Sequence, residues 1–457
     1  MTDTVYDMVI LGAGSGGYAA ALRGAQLGLR VALIEADKIG GTCLHRGCVP
    51  TKAILHSAET AEAVREAAAV GVRAAYQGLD MPAVQRYKNG VISRMYKGLQ
   101  GLVASRGIEV VGGWGRLLAR DTVEVSGRRY RGRNIVLASG SLSKTMGQEI
   151  SGPVMTSDQA LELDRVPASA VVLGGGVIGV ELASAWASMG SRVTIIEALP
   201  HLVPNEDEAI SKQLERAFRK RRIAFRTSTM FESVERTAAG VTVRTADGRT
   251  HDAEVLLIAV GRGPATANLG YEEVGVAMDR GFVLTDDYGR TNVEGVWAVG
   301  DIVPGVQLAH RGFAQGITVA EKIAGLDPRP VDDALVPKVT FCEPEIASVG
   351  LSEARAAELH GAENVTTSEF NVAGNAKSQI LGTQGFVKLV SLKDGPIVGF
   401  HAIGTRMGEQ IGEGQLIVSW EADARDVAPL VHAHPTQNET IGEAAMALAG
   451  KPLHNHG

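Results

Sequence analysis

The stretch Tyr6-Asp7-Met8-Val9-Ile10-Leu11-Gly12-Ala13-Gly14-Ser15-Gly16-Gly17 decides how this chain folds. An apolar run of strand length breaks at glycine and a helical pattern continues through Leu27. A second run, Arg30 to Ile34, closes on Glu35. A lone GxGxxG says little. Between a strand and a helix, with an acid ending the next strand, it reads as a dinucleotide-binding turn. In that reading Gly12 makes the tight turn, Gly14 admits a pyrophosphate, Gly17 lets helix and strand pack closely, and Glu35 accepts hydrogen bonds from ribose hydroxyls. The plain alternative is a glycine turn in an ordinary strand-helix-strand unit.

The pattern recurs in mid-chain. Ala170 to Leu173 is followed by Gly174-Gly175-Gly176-Val177-Ile178-Gly179, a helix through Met189, a strand from Arg192 to Ile196, and Glu197. Gly174, Gly176 and Gly179 take the three glycine roles, and two such units imply two dinucleotides. Glu197 favours a free ribose 2′-hydroxyl and repels a 2′-phosphate. Arg192 precedes the strand and is poorly placed to compensate, so NAD is expected over NADP.

Between the two units lies Gly40-Gly41-Thr42-Cys43-Leu44-His45-Arg46-Gly47-Cys48-Val49-Pro50-Thr51-Lys52, holding two of the three cysteines in the chain. A structural disulfide or two unrelated buried thiols is the bland reading. Disulfides persist mainly in oxidising compartments and nothing here signals export, so a reversible dithiol cycled by a neighbouring cofactor fits better. A bridge needs Cα atoms within about 4.4–6.8 Å. Gly40, Gly41 and Gly47 give the bend its freedom, and Pro50 suits the first turn of a following helix. Cys48 is then expected near that helix's N-terminus, where the backbone field favours a thiolate. Cys342 has no evident partner and reads as a passive thiol.

At 457 residues the chain is too long for one core and is expected to form about three domains. Apolar content of 45%, charged content of 21% and a formal charge of -6 describe a soluble globular protein with no basic footprint for nucleic acid. The first residues lack the features of a signal peptide and no apolar run is long enough for a membrane span, so the expectation is a cytoplasmic protein.

Thr51 to Leu102 reads as mostly helical with a break around Gly71 to Pro82, and Ile108 to Val111 and Arg133 to Ala138 as strands returning to the first unit. Trp114 is read chiefly as a packing residue whose flanking glycines bring backbone toward an adenine. A charged amphipathic helix is expected from Pro204 to Arg222. Thr291 to Asp301 looks strand-like. At its end Asp301 is placed to hold a ribityl hydroxyl of a flavin, and the helix from about His310 aims its N-terminus at the ring. An ordinary turn aspartate is the alternative. After Pro337 the texture becomes α+β. Near the end, Val431-His432-Ala433-His434-Pro435-Thr436-Gln437-Asn438-Glu439 precedes a last helix. His434, five residues ahead of Glu439, is a candidate base oriented by a carboxylate, which thiol exchange requires. A capping turn is one alternative. Metal ligation by His432 and His434, with His454 and His456, is another, but no Cys or Asp cluster completes such a site and no metal is expected.

Over essentially its whole length the chain resembles the two-dinucleotide-fold flavoprotein disulfide reductases. Among them it is most similar to the dihydrolipoamide dehydrogenases, in particular the actinobacterial form. The likeness is carried by Gly40 to Lys52, Gly174 to Glu181, Asn292 to Asp301 and His432 to Glu439. It implies an α/β fold with two Rossmann-like dinucleotide-binding domains, for FAD and NAD, and a C-terminal α+β dimerisation domain. The implied divisions are 1–147 (FAD-binding, with the dithiol), 148–270 (NAD-binding), 271–336 (completing the FAD site) and 337–457 (dimerisation, with the base). The resemblance also implies that Cys43 attacks the substrate, Cys48 faces the flavin, and Lys52 pairs with Glu181 beside it. His434 and Glu439 are implied to act across a homodimer interface. Thr42, Trp114, Gly140, Gly261, Asp301 and Ala309 join the fingerprint residues as implied cofactor contacts.

The implied reaction oxidises protein-bound dihydrolipoamide at the expense of NAD+. Its carriers are the lipoylated domains of 2-oxoacid dehydrogenase complexes or a glycine cleavage carrier. A related reductase of a small thiol disulfide is the alternative; the C-terminal vicinal cysteine pair of a mercuric-ion reductase is absent from the sequence. His45, Ala138-Ser139-Gly140 and the loop 143–147 depart from the family pattern without touching the redox atoms.

Overall fold

In the computed structural model, which describes residues 4–454, the run before the first glycine turn is the strand Val5–Leu11. It is flanked in parallel by Val31–Glu35 and Arg128–Leu137, with Glu109–Gly112 beyond Val31–Glu35. Leu11 faces Ile34 on one side and Leu137 on the other. Val9, Leu11, Ile34 and Leu137 fill one face of the sheet, and Met8, Ile10, Leu33 and Val136 the other. That is why these strands read as continuous apolar runs: they are buried on both sides. An antiparallel meander, Gly115–Ala119 and Thr122–Val125, extends the sheet.

The chain returns to this sheet through Val296–Ala298, which pairs with Arg128–Leu137. Only three residues of the strand expected over 291–301 form it. Thr291 Oγ1 donates to Val296 O and Asn292 Oδ1 accepts Ala277 N–H, local bonds that compete with the ladder.

The second unit is a parallel sheet in the order Ala224–Arg226, Arg192–Ile196, Ser169–Leu173, Val255–Ile258, Val154–Met155. Its charged helix is Glu208–Lys220, shorter than expected, because Asp207 caps it by accepting Ala209 N–H at 3.0 Å. The third sheet is antiparallel, in the order Lys338–Thr340, Glu345–Gly350, Ile397–Gly404, Phe386–Leu392, Val365–Asn371. The helices Met407–Ser419 and Glu439–Leu448 share its core through Ile417, Val418, Ile441 and Ala444. A continuous cluster joins the three units: Ile54 and Ala58, Val180 and Trp186, and Cys342, Ile346 and Ile403. No helix among the described residues is long and apolar enough to cross a membrane.

Candidate active site

The two glycine turns are built alike. A Cβ at Gly17 would run into the Gly12 carbonyl, and one at Gly179 into the Gly174 carbonyl, so each helix starts against its strand only because glycine stands there. At Gly14 and Gly176 nothing lies within 4 Å of an added Cβ, so the space over each helix start is open. Both are N-caps without a side-chain bond, leaving first-turn amides for phosphate oxygens. Glu35 accepts Ala13 N–H (2.8 Å) and Asp37 N–H (2.9 Å); Glu197 accepts Gly175 N–H (2.6 Å) and Leu199 N–H (2.7 Å). Each carboxylate is thus fixed at its turn, with lone pairs remaining for ribose hydroxyls. Arg192 opens the strand that Glu197 follows, roughly 16 Å away along it.

The dithiol segment lies directly on the first turn. Gly40 N–H donates to Ala13 O at 2.8 Å, and a Cβ at Gly41 would stand 2.7 Å from Gly14 Cα. Thr42 and Cys43 belong to a short helix, Gly41–Arg46, and Cys48 begins a long one, Cys48–Glu66. Between them Gly47 breaks the chain (φ -139°, ψ -107°), and a Cβ there would press to 3.1 Å from Thr42 O. Both thiols are free and share a hydrogen bond. That bond lowers the Cys48 pKa to about 7; burial opposes it and the Lys52 ammonium assists. The same bond, with burial, pushes Cys43 up. Cys48 is therefore the more readily ionised thiol of the pair. Tyr18 stands close enough that burial and then the two thiols raise its pKa to about 12, a neighbour the sequence did not single out.

Lys52, one turn along the helix, places Nζ 2.9 Å from Glu181 Oε2 and 4.6 Å from the centre of the Phe341 ring. Glu181 is buried and also accepts Phe341 N–H at 2.8 Å. One carboxylate thus ties the dithiol helix to the second unit and to the start of the third. Phe341 carried no signal in the sequence, because a backbone N–H and a ring set against a distant lysine leave no local pattern.

Helix Ala309–Ile323 crosses helix Ser15–Gln26 where Gly312 and Gly316 meet Gly16, and Ala309 begins it without a side-chain cap. Asp301, in the turn Gly300–Ile302, accepts Ser141 Oγ–H at 2.5 Å, and Ser141 Oγ accepts Arg262 Nε–H at 2.8 Å. Gly140 and Gly261, next to these partners, have φ of +77° and +102° and open space on their Cβ side. Ser141 and Arg262 were missed; their adjacency to Gly140 and Gly261 was the available signal.

Trp114 corrects an expectation. It is 77% exposed, and the packing it was assigned is done by its neighbours Val111 and Leu117. The backbone beside it borders the site instead, Gly113 N–H donating to Glu35 O at 2.9 Å.

In the C-terminal unit His434 Nδ1 bonds Glu439 Oε1 at 2.8 Å, and Glu439 Oε2 accepts Thr436 N–H at 2.8 Å. Burial works against the Glu439 charge, but these two bonds outweigh it and its pKa is lowered. With Nδ1–H committed to the carboxylate, Nε2 of the exposed ring is free to take a proton. His432 is engaged by Glu413 (2.7 Å) and His454 by Glu443 (2.7 Å), so these rings have partners other than a metal; His456 lies outside the described residues. Buried Cys342 donates to Pro344 O at 3.2 Å, and burial raises its pKa, which makes it inert.

Residues 6–316 match the pyridine nucleotide-disulphide oxidoreductase family, and residues 336–445 its dimerisation domain. A dihydrolipoyl dehydrogenase of Bacillus subtilis (strain 168) is 37% identical over 473 residues, 99% of each chain. Mitochondrial dihydrolipoyl dehydrogenase 2 of Arabidopsis thaliana is 37% identical, covering 98% of this chain and 91% of its own. Among solved structures, LpdA from Mycobacterium tuberculosis superposes with a TM-score of 0.90 at 27% identity, covering 96% of this chain and 99% of its own. The HOCl-induced flavoprotein disulfide reductase RclA from Escherichia coli gives 0.86 at 27%, with 96% and 99% covered.

Proposed function

The chain belongs to the pyridine nucleotide-disulphide oxidoreductase family, and on that premise we propose how its residues divide the work of a dihydrolipoyl dehydrogenase. It is an NAD-dependent flavoprotein disulfide oxidoreductase, and its dimerisation domain makes the homodimer the working unit. The finer assignments are these: protein-bound dihydrolipoamide as substrate, lipoylated domains of 2-oxoacid dehydrogenase complexes or a glycine cleavage carrier as donors, and a cytoplasmic location. Likeness to the Mycobacterium tuberculosis structure supports placing the chain with the actinobacterial form, although similar curated proteins also come from Bacillus and plants.

The first glycine turn fits the pyrophosphate of FAD: the cradle at Gly14 is open, Glu35 is fixed for a ribose, and the Ala309 helix crosses at Gly16. The second turn, with Gly176 and Glu197, fits NAD. Bound at the first turn, FAD would supply the two-electron relay between the dithiol and NAD+. The chain's own residues do the thiol chemistry. A substrate thiolate attacks Cys43 Sγ, the Cys43–Cys48 bond breaks, and Cys48 leaves as the thiolate that Lys52 supports. His434 Nε2 takes the proton of the second substrate thiol, whose sulfur displaces Cys43. The products are the substrate disulfide and the reduced pair. Glu439 keeps the imidazole oriented throughout. On this proposal His434 of one chain serves Cys43 of the other.

The observation carrying the reading is the Cys43–Cys48 pair laid on the first glycine turn beside Lys52–Glu181. Its test is the visible spectrum of the purified protein, with side-by-side kinetics for NADH and NADPH and for dihydrolipoamide and glutathione disulfide. A colourless folded protein, a preference for NADPH, or better turnover with glutathione disulfide counts against it. Arg226, beside Ile196 in the sheet, makes the nicotinamide comparison worth running.

A further inference from the structure

We infer that His432 is a positioning residue for His434: gripped by Glu413 and seated on Gly442, it fixes the loop that carries the base. The inference rests on the assignment of His434 as base.

Glu413, on helix Met407–Ser419, holds both ends of the loop. Its Oε1 bonds His432 Nε2 at 2.7 Å, and its Oε2 accepts Asn438 Nδ2–H at 2.7 Å. His434 lies between, in a stretch with neither helix nor strand. The same stretch is pinned at Thr436, whose carbonyl accepts Asn375 Nδ2–H, and at Gln437, which donates to Thr405 O; both bonds are 2.9 Å. The other side of the His432 ring rests on the last helix, where a Cβ at Gly442 would come 2.7 Å from Nδ1. Two helices thus close on an imidazole that the thiol chemistry does not itself use.

The charged groups that act on His432 are Glu413, from the helix packed against its ring, and Glu439, from the start of the last helix. The hydrogen bond to Glu413 raises the His432 pKa; burial opposes it, and Glu413's charge and a backbone bond at Leu430 add to it. Glu413 thus binds the protonated form of His432 more strongly than the neutral one, so its grip on the loop is tightest when the ring carries a proton.

The test uses His432→Gln, Glu413→Gln and the double variant in the FAD-loaded homodimer. Three quantities are measured: the pH profile of kcat/KM for dihydrolipoamide, the pH dependence of Cys43 alkylation in the reduced protein, and the NADH-to-artificial-acceptor rate. Each single variant is expected to lose dithiol oxidation by on the order of tenfold, the worth of one hydrogen bond to a charged group. Its acid limb moves as well, because the grip of Glu413 on the loop depends on the proton of His432 and is lost in the variant. The alkylation profile shifts the same way, the acceptor rate holds, and the double variant is no worse than either single, as for two parts of one device. Unmoved profiles in both singles overturn the inference, as does a parallel fall in the acceptor rate. Glu413→Gln keeps shape and volume, so the test survives if His432→Gln misfolds. If His434→Ala oxidises dithiol at full rate, the base assignment itself fails; if it is inactive while both singles keep the parent profile, only the role of His432 falls.

Discussion

Lys52 and Glu181 stand 2.9 Å apart although they belong to helices of different units, and Phe341 of the third unit closes on both. The ammonium lies where it lowers the Cys48 pKa. Lys52→Met is therefore expected to raise that pKa from about 7 toward the ordinary thiol value of about 8.5. The check is a pH titration of the long-wavelength thiolate-to-flavin band in the reduced protein. A midpoint that stays put shows that Lys52 does not support the thiolate.

Cys48→Ser removes that band, whereas Cys43→Ser keeps a thiolate beside the flavin and loses dithiol turnover. Cys342→Ser leaves both untouched. Spectra and dihydrolipoamide assays of the three proteins decide it, and full lipoamide activity in both of the first two would reassign the redox pair.

His434→Ala is expected to slow dithiol oxidation by about 10²–10⁴, the usual worth of a general base. Transfer from NADH to an artificial acceptor needs no thiol proton removed and serves as the internal reference. Glu439→Gln gives a milder loss, since the imidazole remains. Mixing inactive Cys43→Ser and His434→Ala chains under subunit exchange should restore activity, because one of the two sites then has both residues intact. Verified heterodimers as inactive as their parents would place His434 in its own chain's site or outside the chemistry.

Gly176→Val tests the second turn. Gly176 has φ -76° and ψ -176° with nothing within 4 Å of an added Cβ, so the chain folds with valine there. The side chain fills the pyrophosphate cradle. The KM for NADH should rise by on the order of tenfold or more, as when a charge-assisted hydrogen bond is lost. Flavin content and melting temperature stay the same. An unchanged KM would mean the nicotinamide cofactor lies elsewhere.

What could be read in the sequence was what is local. Gly12-Ala13-Gly14 and Gly174-Gly175-Gly176 announce themselves because steric demands over a few residues select glycine, and Cys48 opens a helix because Gly47 and Pro50 frame it. The opaque part was made by distant backbone. Glu181's grip on Phe341 N–H and Glu413's hold on His432 and Asn438 depend on where separate elements land, and a backbone donor leaves no trace in residue identity. Trp114 misled for the opposite reason: a large aromatic ring suggests burial, yet here Gly113, its neighbour, has the structural task.

The near-identity of the two carboxylate grips, at Glu35 and at Glu197, has a consequence for how long each cofactor stays. With the same cradle twice, the turn itself supplies no reason for one nucleotide to be a permanent tenant and the other a visitor. The difference comes from what is stacked on top. At the first turn the Gly40–Lys52 segment packs against Ala13 and Gly14, and the Ala309 helix crosses at Gly16. At the second, the loop at Leu202 and Val203 leans on Gly175, while Gly176, like Gly14, keeps open space on its Cβ side. A nucleotide at the first turn is therefore expected to dissociate more slowly than one at the second, because more of the chain packs beside it.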